Sequence, residues 1–434
     1  MDDIRLNHAV DLHNLRLDAA AVAEQQRKAM AALLTNHAID LHSSRLDAVA
    51  ESTMRRAIGL DRNHFTLTQL AAFLTLAGRL DEASRILDEV LAINSDYAPA
   101  WDIMGYMYFG QGNIDLAIEA HRRAVALDPH NRPYRFDLAC TQLAAGDYLN
   151  GFAGYECRSR DAPWHAPWRT NLAPPEWKGE PGLHVCVWWD QGAGDMFLML
   201  RVLPWVAQHA ARVTLAVPAH AVALFGGLAG ICEVVPNHAA ADYDVQIPLM
   251  SVPRVMGLTI DRIPPPAGPF LTAAGIFGEF WPGPEKKIGV CWAGTRGQGS
   301  DRRRSMPFTT MARLAENPDL RLFSFQVGER CADISANRAE RLVENQAARI
   351  DGNWSATAGL LQHMDAVVTV CTGVAHLAAS LGVPTYVCLH ETPYWIWGRH
   401  GDTTPWYPSA KLFRQHTPGD WDGVIDRVAA AVAV

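Results

Sequence analysis

No two cysteines of this 434-residue chain form a Cys-x-x-Cys pair: the eight are scattered, and Cys186, Cys291, Cys371 and Cys388 sit inside apolar runs. Such usage predicts reduced, buried thiols rather than a disulfide framework. An excess of positive charge is also missing. Lys and Arg total 38 against 46 Asp and Glu, so the net charge of -8 gives no general attraction to nucleic acid or anionic membrane. Arg302-Arg303-Arg304 is a local exception and a candidate anion site. The opening MDDIRLNHAVDLHNLRLD lacks the basic segment and apolar core of a signal peptide, and no apolar stretch approaches membrane-spanning length. The expectation is a cytoplasmic protein with no membrane insertion and no nucleic-acid partner. What the chain does have is a globular balance, with 49% hydrophobic and 19% charged residues, over a length that calls for two or three domains.

A period shows up in the first third. Gly78, Gly112 and Gly146 are spaced 34 apart, Ala83, Ala117 and Gly151 follow each by five, and the junctions AINSDYAPAW and ALDPHNRPYR move with them. This pattern resembles the tetratricopeptide repeat, with Trp101, Gly105, Tyr108, Gly112, Ala117, Ala124 and Pro129 on consensus positions. Upstream, NHAVDLHNLRLDA at Asn7 recurs as NHAIDLHSSRLDA at Asn36, and NH returns at Asn63. These stretches read as shorter, degenerate helical hairpins extending the array. His8, His13, His37 and His42 recur at a spacing of five, which does not place two ligands on one helix face, so they read as polar repeat-face residues. Stacked hairpins present a concave face suited to an extended peptide or a protein; a purely structural or dimerising array is the alternative.

Beyond Cys157, RSRDAPWHAPWRTNLAPPEWKGEPG reads as a linker packed down by its tryptophans. Apolar runs then alternate with helical patterns: LHVCVWW, RVTLAVP, CEVVP and YDVQIPL, followed by KKIGVCWAG, LRLFSFQVG, DAVVTVC and PTYVCLH. Alternation of this kind indicates parallel sheets, and IPPPAGPF with FWPGPEKK divides them into two halves. The domain reading is a helical repeat domain over residues 1–160 and two Rossmann-like domains over 161–280 and 281–434. Facing sheets place a cleft between their carboxyl ends, where ligands of open α/β sheets bind. Within the second half, DAVVTVC runs into Thr372-Gly373 and a small-residue helix pattern. The first amides of that helix, including those of Val374 and Ala375, carry partial positive charge and suit a phosphate.

The two-domain layout is similar to that of the GT-B glycosyltransferases. WWDQGAGDMFLMLRVLPWVA, KIGVCWAG, DRRRSMPFTTMARL, VVTVCTGVAHLAASLGVPTYVCL and PWYPSAKLFRQHTPGDW, together with the repeats, resemble the bacterial tetratricopeptide-fused glycosyltransferases. These are related to the ADP-heptose:lipopolysaccharide heptosyltransferases and include flagellin-modifying enzymes. The resemblance runs from about Asn63 to the C-terminus.

It implies roles residue by residue. In DQGAGD, Gly192 and Gly194 permit a tight turn and Asp195 matches the proposed general base, with capping of the following helix as its other reading. Asp190 stands where relatives carry Glu and is the second candidate. The phosphate of a nucleotide-sugar donor is expected on Thr372, Gly373, Val374 and Ala375, with His376 pointing to the same phosphate or the sugar. Cys371 departs from the Asp usual there, where a carboxylate binds a sugar hydroxyl. Trp292 is placed to stack on a ring and Gln326 to contact base or ribose, while Arg304 or Ser305 reaches the leaving phosphate unless that loop is merely solvated. The aromatic loop ETPYWIWGRHGDTTPWYP either closes on the donor or packs the C-terminal helix. Asp242-Tyr243-Asp244 resembles the manganese-binding Asp-x-Asp of the other main glycosyltransferase fold, but it introduces a strand far from the phosphate turn. No metal or cofactor is therefore expected.

Three readings follow. The resemblance favours an inverting, metal-independent transfer of sugar to Ser or Thr of an acceptor protein, flagellin among the candidates, held by the repeats. A lipopolysaccharide or lipid-linked acceptor is the alternative within the same chemistry. A repeat scaffold with a decayed site, a homo-oligomer included, is the alternative outside it.

Overall fold

The computed structural model describes residues 2–44, 46–158, 174–239, 242–273, 281–295, 301–350 and 352–433. By compactness the chain divides into two units, Met1–Leu138 and Ala139–Val434.

The first unit is helical: α1 Asp2–Ser43, α2 Asp47–Leu60, α3 His64–Leu76, α4 Leu80–Ile93, α5 Ala98–Gly110, α6 Ile114–Leu127 and the start of α7 Arg132–Ala144. The expected short hairpins at Asn7 and Asn36 are replaced by the single 42-residue α1. Neither Gly nor Pro occurs before Gly59, so nothing in the chain breaks the helix between the two similar stretches. From α3 onward the 34-residue period takes physical form. Gly78, Gly112 and Gly146 have φ of 74°, 83° and 83°. Each lets the chain turn so that the next amide reaches back five residues: Arg79 to the Leu74 carbonyl, Asn113 to Tyr108 and Asp147 to Gln142, all at 2.9 Å. These are left-handed C-terminal closures, which favour glycine because a Cβ is strained there. Leu67, Leu70, Leu74, Leu87, Val90, Met104 and Met107 bury their side chains in the core that the closures permit.

The second unit begins inside α7 and takes in α8, Tyr148–Gly154. The expected domain boundary at 160 therefore lies 22 residues beyond the compact division, because α8, which carries the repeat's Gly151, packs on this body. Tyr148 accepts a hydrogen bond from Trp406 Nε1 at 2.9 Å, and Phe152 meets Trp395 edge-on at 5.6 Å.

Strands β1 His184–Trp188, β2 Arg212–Val217, β3 Glu233–Pro236 and β4 Val245–Pro248 form one parallel sheet in the order β3-β2-β1-β4. Six more, β5 Lys286–Cys291, β6 Leu320–Ser324, β7 Val343–Asn345, β8 Ala366–Val370, β9 Thr385–Leu389 and β10 Ala410–Arg414, form a second parallel sheet in the order β10-β9-β8-β5-β6-β7. The architecture follows the expected order, a tetratricopeptide-type helical array followed by two parallel-sheet α/β halves. The last helix, Trp421–Val432, buries Trp421, Val424, Ile425, Val428 and Val432 in the second sheet's core. Of the linker's tryptophans, Trp164 and Trp168 lie outside the described residues, and Trp177 is fully buried, donating to the Glu180 carbonyl. None of the eight cysteines is in a disulfide, and among the described residues no helix is long and apolar enough to cross a membrane.

The glycine closures make a simple test. A Cβ added at Gly112 meets no atom within 4 Å, so the cost of Gly112→Ala is backbone strain alone, about 1–2 kcal/mol. Gly59, helical with equally open surroundings, should gain about 0.5 kcal/mol on replacement by Ala. Thermal unfolding of the two variants should move Tm in opposite directions.

Candidate functional site

In an open parallel sheet, ligands settle where strand order reverses, because loops from neighbouring strands there leave in opposite directions. In the first sheet that point lies between β1 and β4, in the second between β5 and β8. The loop after β1 holds Asp190 through Asp195; the turns after β5 and β8 hold Trp292–Gly294 and Cys371–Gly373. The two reversal points meet. A Cβ built on Gly194 would lie 2.7 Å from Cδ2 and 3.1 Å from Nε2 of His376, so only glycine lets the first loop reach the helix Gly373–Ser380. Neither Gly192 nor Gly194 has positive φ. The expected tight turn needs no glycine conformation here; Gly194 is required by close approach instead.

Asp195 lies in the first turn of α9, Ala193–Met199. It is partly exposed, and each of its oxygens has a donor: Gly192 N at 3.2 Å from Oδ2, and the Tyr394 hydroxyl at 2.8 Å from Oδ1. Both readings of this residue thus coexist, a carboxylate that ties down the helix start and one that faces the opposite half. Burial raises its carboxyl to about 6, with Asp190 adding to the rise and Tyr394, Gly192 N and Arg158 opposing it. Asp190, the second candidate, is held differently. It is buried, its Oδ2 accepts Nε and Nη2 of Arg158 at 2.8 and 2.6 Å, and its Oδ1 accepts Met250 N at 3.2 Å. Arg158 also reaches Ser251 Oγ and Glu156. An ion pair of this kind fixes the loop between the ends of β1 and β4 and engages both oxygens of Asp190 within the protein.

On the facing half, Thr372 precedes the helix Gly373–Ser380 in extended conformation and makes no side-chain cap. The amides of Gly373, Val374 and Ala375 have no intrahelical acceptor, as in any first turn. Arg304 donates to the Cys371 carbonyl at 3.4 Å, bringing a guanidinium to the same turn. Two expectations at this turn are corrected. The His376 ring is buried, with Nδ1 3.0 Å from the Tyr407 hydroxyl and its far edge on Gly194, so it bolts the halves together instead of reaching a phosphate. Burial, with Arg201 and Arg304 beside it, lowers its pKa to about 3 and keeps it neutral. The Cys371 thiol is buried and accepts Trp397 Nε1 at 3.1 Å, which turns it away from any sugar hydroxyl; burial pushes its pKa up.

Three residues after β5 and β6 are likewise spent within the protein. Trp292 is fully buried, meets Phe308 at 4.8 Å and donates to Asp333 at 2.9 Å, so it cannot stack on a ligand ring. Gln326 is buried and its amide clamps Ala293, accepting from N at 3.0 Å and donating to O at 3.1 Å. Ser305 Oγ accepts from Gly294 N at 3.0 Å and donates to Asp301 at 2.7 Å. These three shape the turn that carries Arg304. Of the other arginines of the run, Arg303 pairs with Glu391 and the side chain of Arg302 lies outside the described residues. The Asp-x-Asp is occupied as well: Asp244 accepts from His184 N at 2.8 Å, and Asp242, at φ 57°, offers its carbonyl to His184 Nδ1.

Sequence reasoning missed Tyr394, which reaches Asp195 from 199 positions away. Its only signal was the aromatic density of its loop, which packs on α8 and Cys371. Trp354 was missed too. Its ring covers Gly373, where a Cβ would lie 2.8 Å away, and meets Phe197 of α9 at 5.1 Å, joining the halves a second time.

A tetratricopeptide-repeat family model matches residues 98–131. No curated protein matches the chain. Among solved structures, a point mutant of the Thermobaculum terrenum O-GlcNAc transferase aligns over 94% of this chain and 92% of its own, at 12% identity and a TM-score of 0.34. A thermophilic tetratricopeptide protein of Thermus thermophilus aligns over 29% of this chain and 72% of its own, at 14% identity and a TM-score of 0.28. Naa15/Naa10 bound to HypK aligns over 29% of this chain at 23% identity and a TM-score of 0.27, and this chain covers 19% of that one.

The burial of Cys371 predicts the effect of restoring the usual acid. Cys371→Asp should destabilise the fold by about 2–4 kcal/mol at pH 7, because a carboxylate replaces a thiol among buried aromatics. Protonation removes the charge, so the penalty should shrink when unfolding is followed at pH 5. An equal penalty at both pH values would show that charge is not its source.

Proposed function

We propose that the chain is a glycosyltransferase that moves a sugar from a nucleotide-sugar donor to a hydroxyl of an acceptor protein, with inversion. The observation that carries this reading is the meeting of Asp195 with an uncapped helix start and Arg304, brought together where both sheets reverse. In the reaction the acceptor oxygen forms its bond to the anomeric carbon while the bond to the phosphate oxygen breaks. The hydroxyl proton passes to Asp195, and the nucleotide leaves with the electron pair. The amides of Gly373, Val374 and Ala375 and the Arg304 guanidinium stabilise the charge it carries away. Burial is the main cause that lowers His376 and His390; Arg201, Arg303, Arg304 and Arg399 add to it and Glu391 opposes it, and the nearby arginines suit a diphosphate. Residues of the helical array hold the acceptor protein, as tetratricopeptide arrays suit extended peptides, with flagellin among the candidate acceptors.

A general base must be ionised to act. With Asp195 at about 6, turnover should rise with pH up to about 6 and level off above it, falling about tenfold per pH unit below. Asp195→Asn should lower turnover about 100-fold or more while leaving nucleotide affinity unchanged. The same variant should be at least as stable as the parent at pH 7. A carboxyl whose folded pKa is raised adds stability only at acid pH, and that contribution is lost as pH climbs through about 6. Near-normal turnover in Asp195→Asn would remove it from the base role.

Donor binding is tested by titrating the full chain with CMP, UDP, GDP and ADP in the presence of chelator. One of them should bind, and Gly373→Leu should weaken it by displacing Trp354 and crowding the helix amides. No affinity for any of the four would favour the scaffold reading. Mass spectrometry of cellular proteins with and without the chain then identifies sugar and acceptor together.

A further inference from the structure

The two carboxylates of the site are both reached from one helical segment. Arg158, just beyond the turn Tyr155–Cys157 that follows α8, binds Asp190 through two nitrogens. Tyr155 is buried in the same turn and lies beside Tyr394, which donates to Asp195 Oδ1 at 2.8 Å. The segment cannot easily drift, because Trp406 and Trp395 hold Tyr148 and Phe152 at its other end.

We propose that Tyr394 and Tyr155 are positioning residues for Asp195, so that the segment Tyr148–Arg158, which bears the repeat signature, is an integral part of the active site. This rests on Asp195 acting as the base. Each carboxylate oxygen has two lone pairs. Gly192 N takes one on Oδ2 and Tyr394 one on Oδ1, which fixes the plane of the group and leaves one lone pair of each oxygen for the incoming proton. A base held in one orientation avoids the cost of finding it during the reaction. Burial holds both phenols far above their ordinary pKa, so both stay protonated throughout the working range and Tyr394 remains a donor to Asp195. The other groups that face Asp195 do not replace them: Asp190 is neutralised by Arg158, and Cys371 and Tyr407 are engaged by Trp397 and His376. A chain begun at about residue 161 would keep every strand of both sheets and lose Tyr155 and Arg158.

The test uses the full chain with carbon-13-labelled Asp carboxyls, Asp195 being assigned by its loss in Asp195→Asn. Tyr394→Phe removes a hydrogen bond to the ionised form, so the titration midpoint of Asp195 should rise by about one pH unit. Tyr155→Phe should move it in the same direction by less, since it acts only through Tyr394. Thermal unfolding of both variants confirms that each is folded. An unmoved midpoint in folded Tyr394→Phe overturns the proposal; an unmoved midpoint in Tyr155→Phe alone overturns the part assigned to the helical segment. The acid limb of turnover, once a donor is identified, should move with the midpoint. A moved midpoint with an unmoved limb would leave the hydrogen-bonded chain in place and overturn Asp195 as the base.

Discussion

The close approach of Gly194 to His376 is the constraint on which the site depends. It brings a carboxylate on one sheet and a phosphate-suited helix start on the other into one space, and it works only because one partner has no side chain and the other no charge. A charged imidazole at that depth would lie beside Arg201 and Arg304, so burial and those two cations keep it neutral. Trp354, set between Gly373 and Phe197, repeats the device a few residues away with apolar surface alone.

Around that junction the charges are sorted. Asp190 and Arg158 neutralise one another in the interior, where an unpaired charge would be costly. Asp195 is left partly exposed with its affinity for protons raised, the property a base for a hydroxyl requires. Arg304 is kept at the turn before the helix Gly373–Ser380 by the Cys371 carbonyl and by a loop that Ser305 and Gln326 close with backbone contacts. Trp292, Gln326, Ser305, Cys371 and His376, which look like ligands in the sequence, are thus bound into a frame by partners within the protein.

The aromatic loop from Thr392 to Tyr407 performs three tasks at once. Tyr394 holds Asp195, Trp397 donates to the Cys371 thiol, and Trp395 with Trp406 receives α8. Large rings cover much apolar surface and still present one polar atom each, which suits a segment that must be buried and directional together.

The sequence by itself determined the elements with a local cause. The 34-residue glycine period specifies the helical repeats, since each closure needs a left-handed residue at a fixed place. Of the ten strands among the described residues, eight stand out as apolar runs between turn signals; β7 with its three residues and β10, which carries Lys411 and Arg414, do not, because pairing with neighbours defines them more than composition does. Asp195 and the turn at Thr372 and Gly373 were readable because a strand end, a glycine turn and a helix start are contiguous in the chain. The continuity of α1 was also written there, in the lack of Gly and Pro, and the similarity of its two halves concealed it. Only the tertiary structure decided which polar residues face the cleft. Trp292, Gln326, His376 and Cys371 have sequence contexts like those of ligands, and it is packing at a distance that buries them. It alone also brought Tyr394 to Asp195 and Arg158 to Asp190, contacts across 199 and 32 positions that no local pattern encodes. Side-chain direction at the end of a strand depends on what the opposite surface supplies, and that surface is assembled only when the chain has folded.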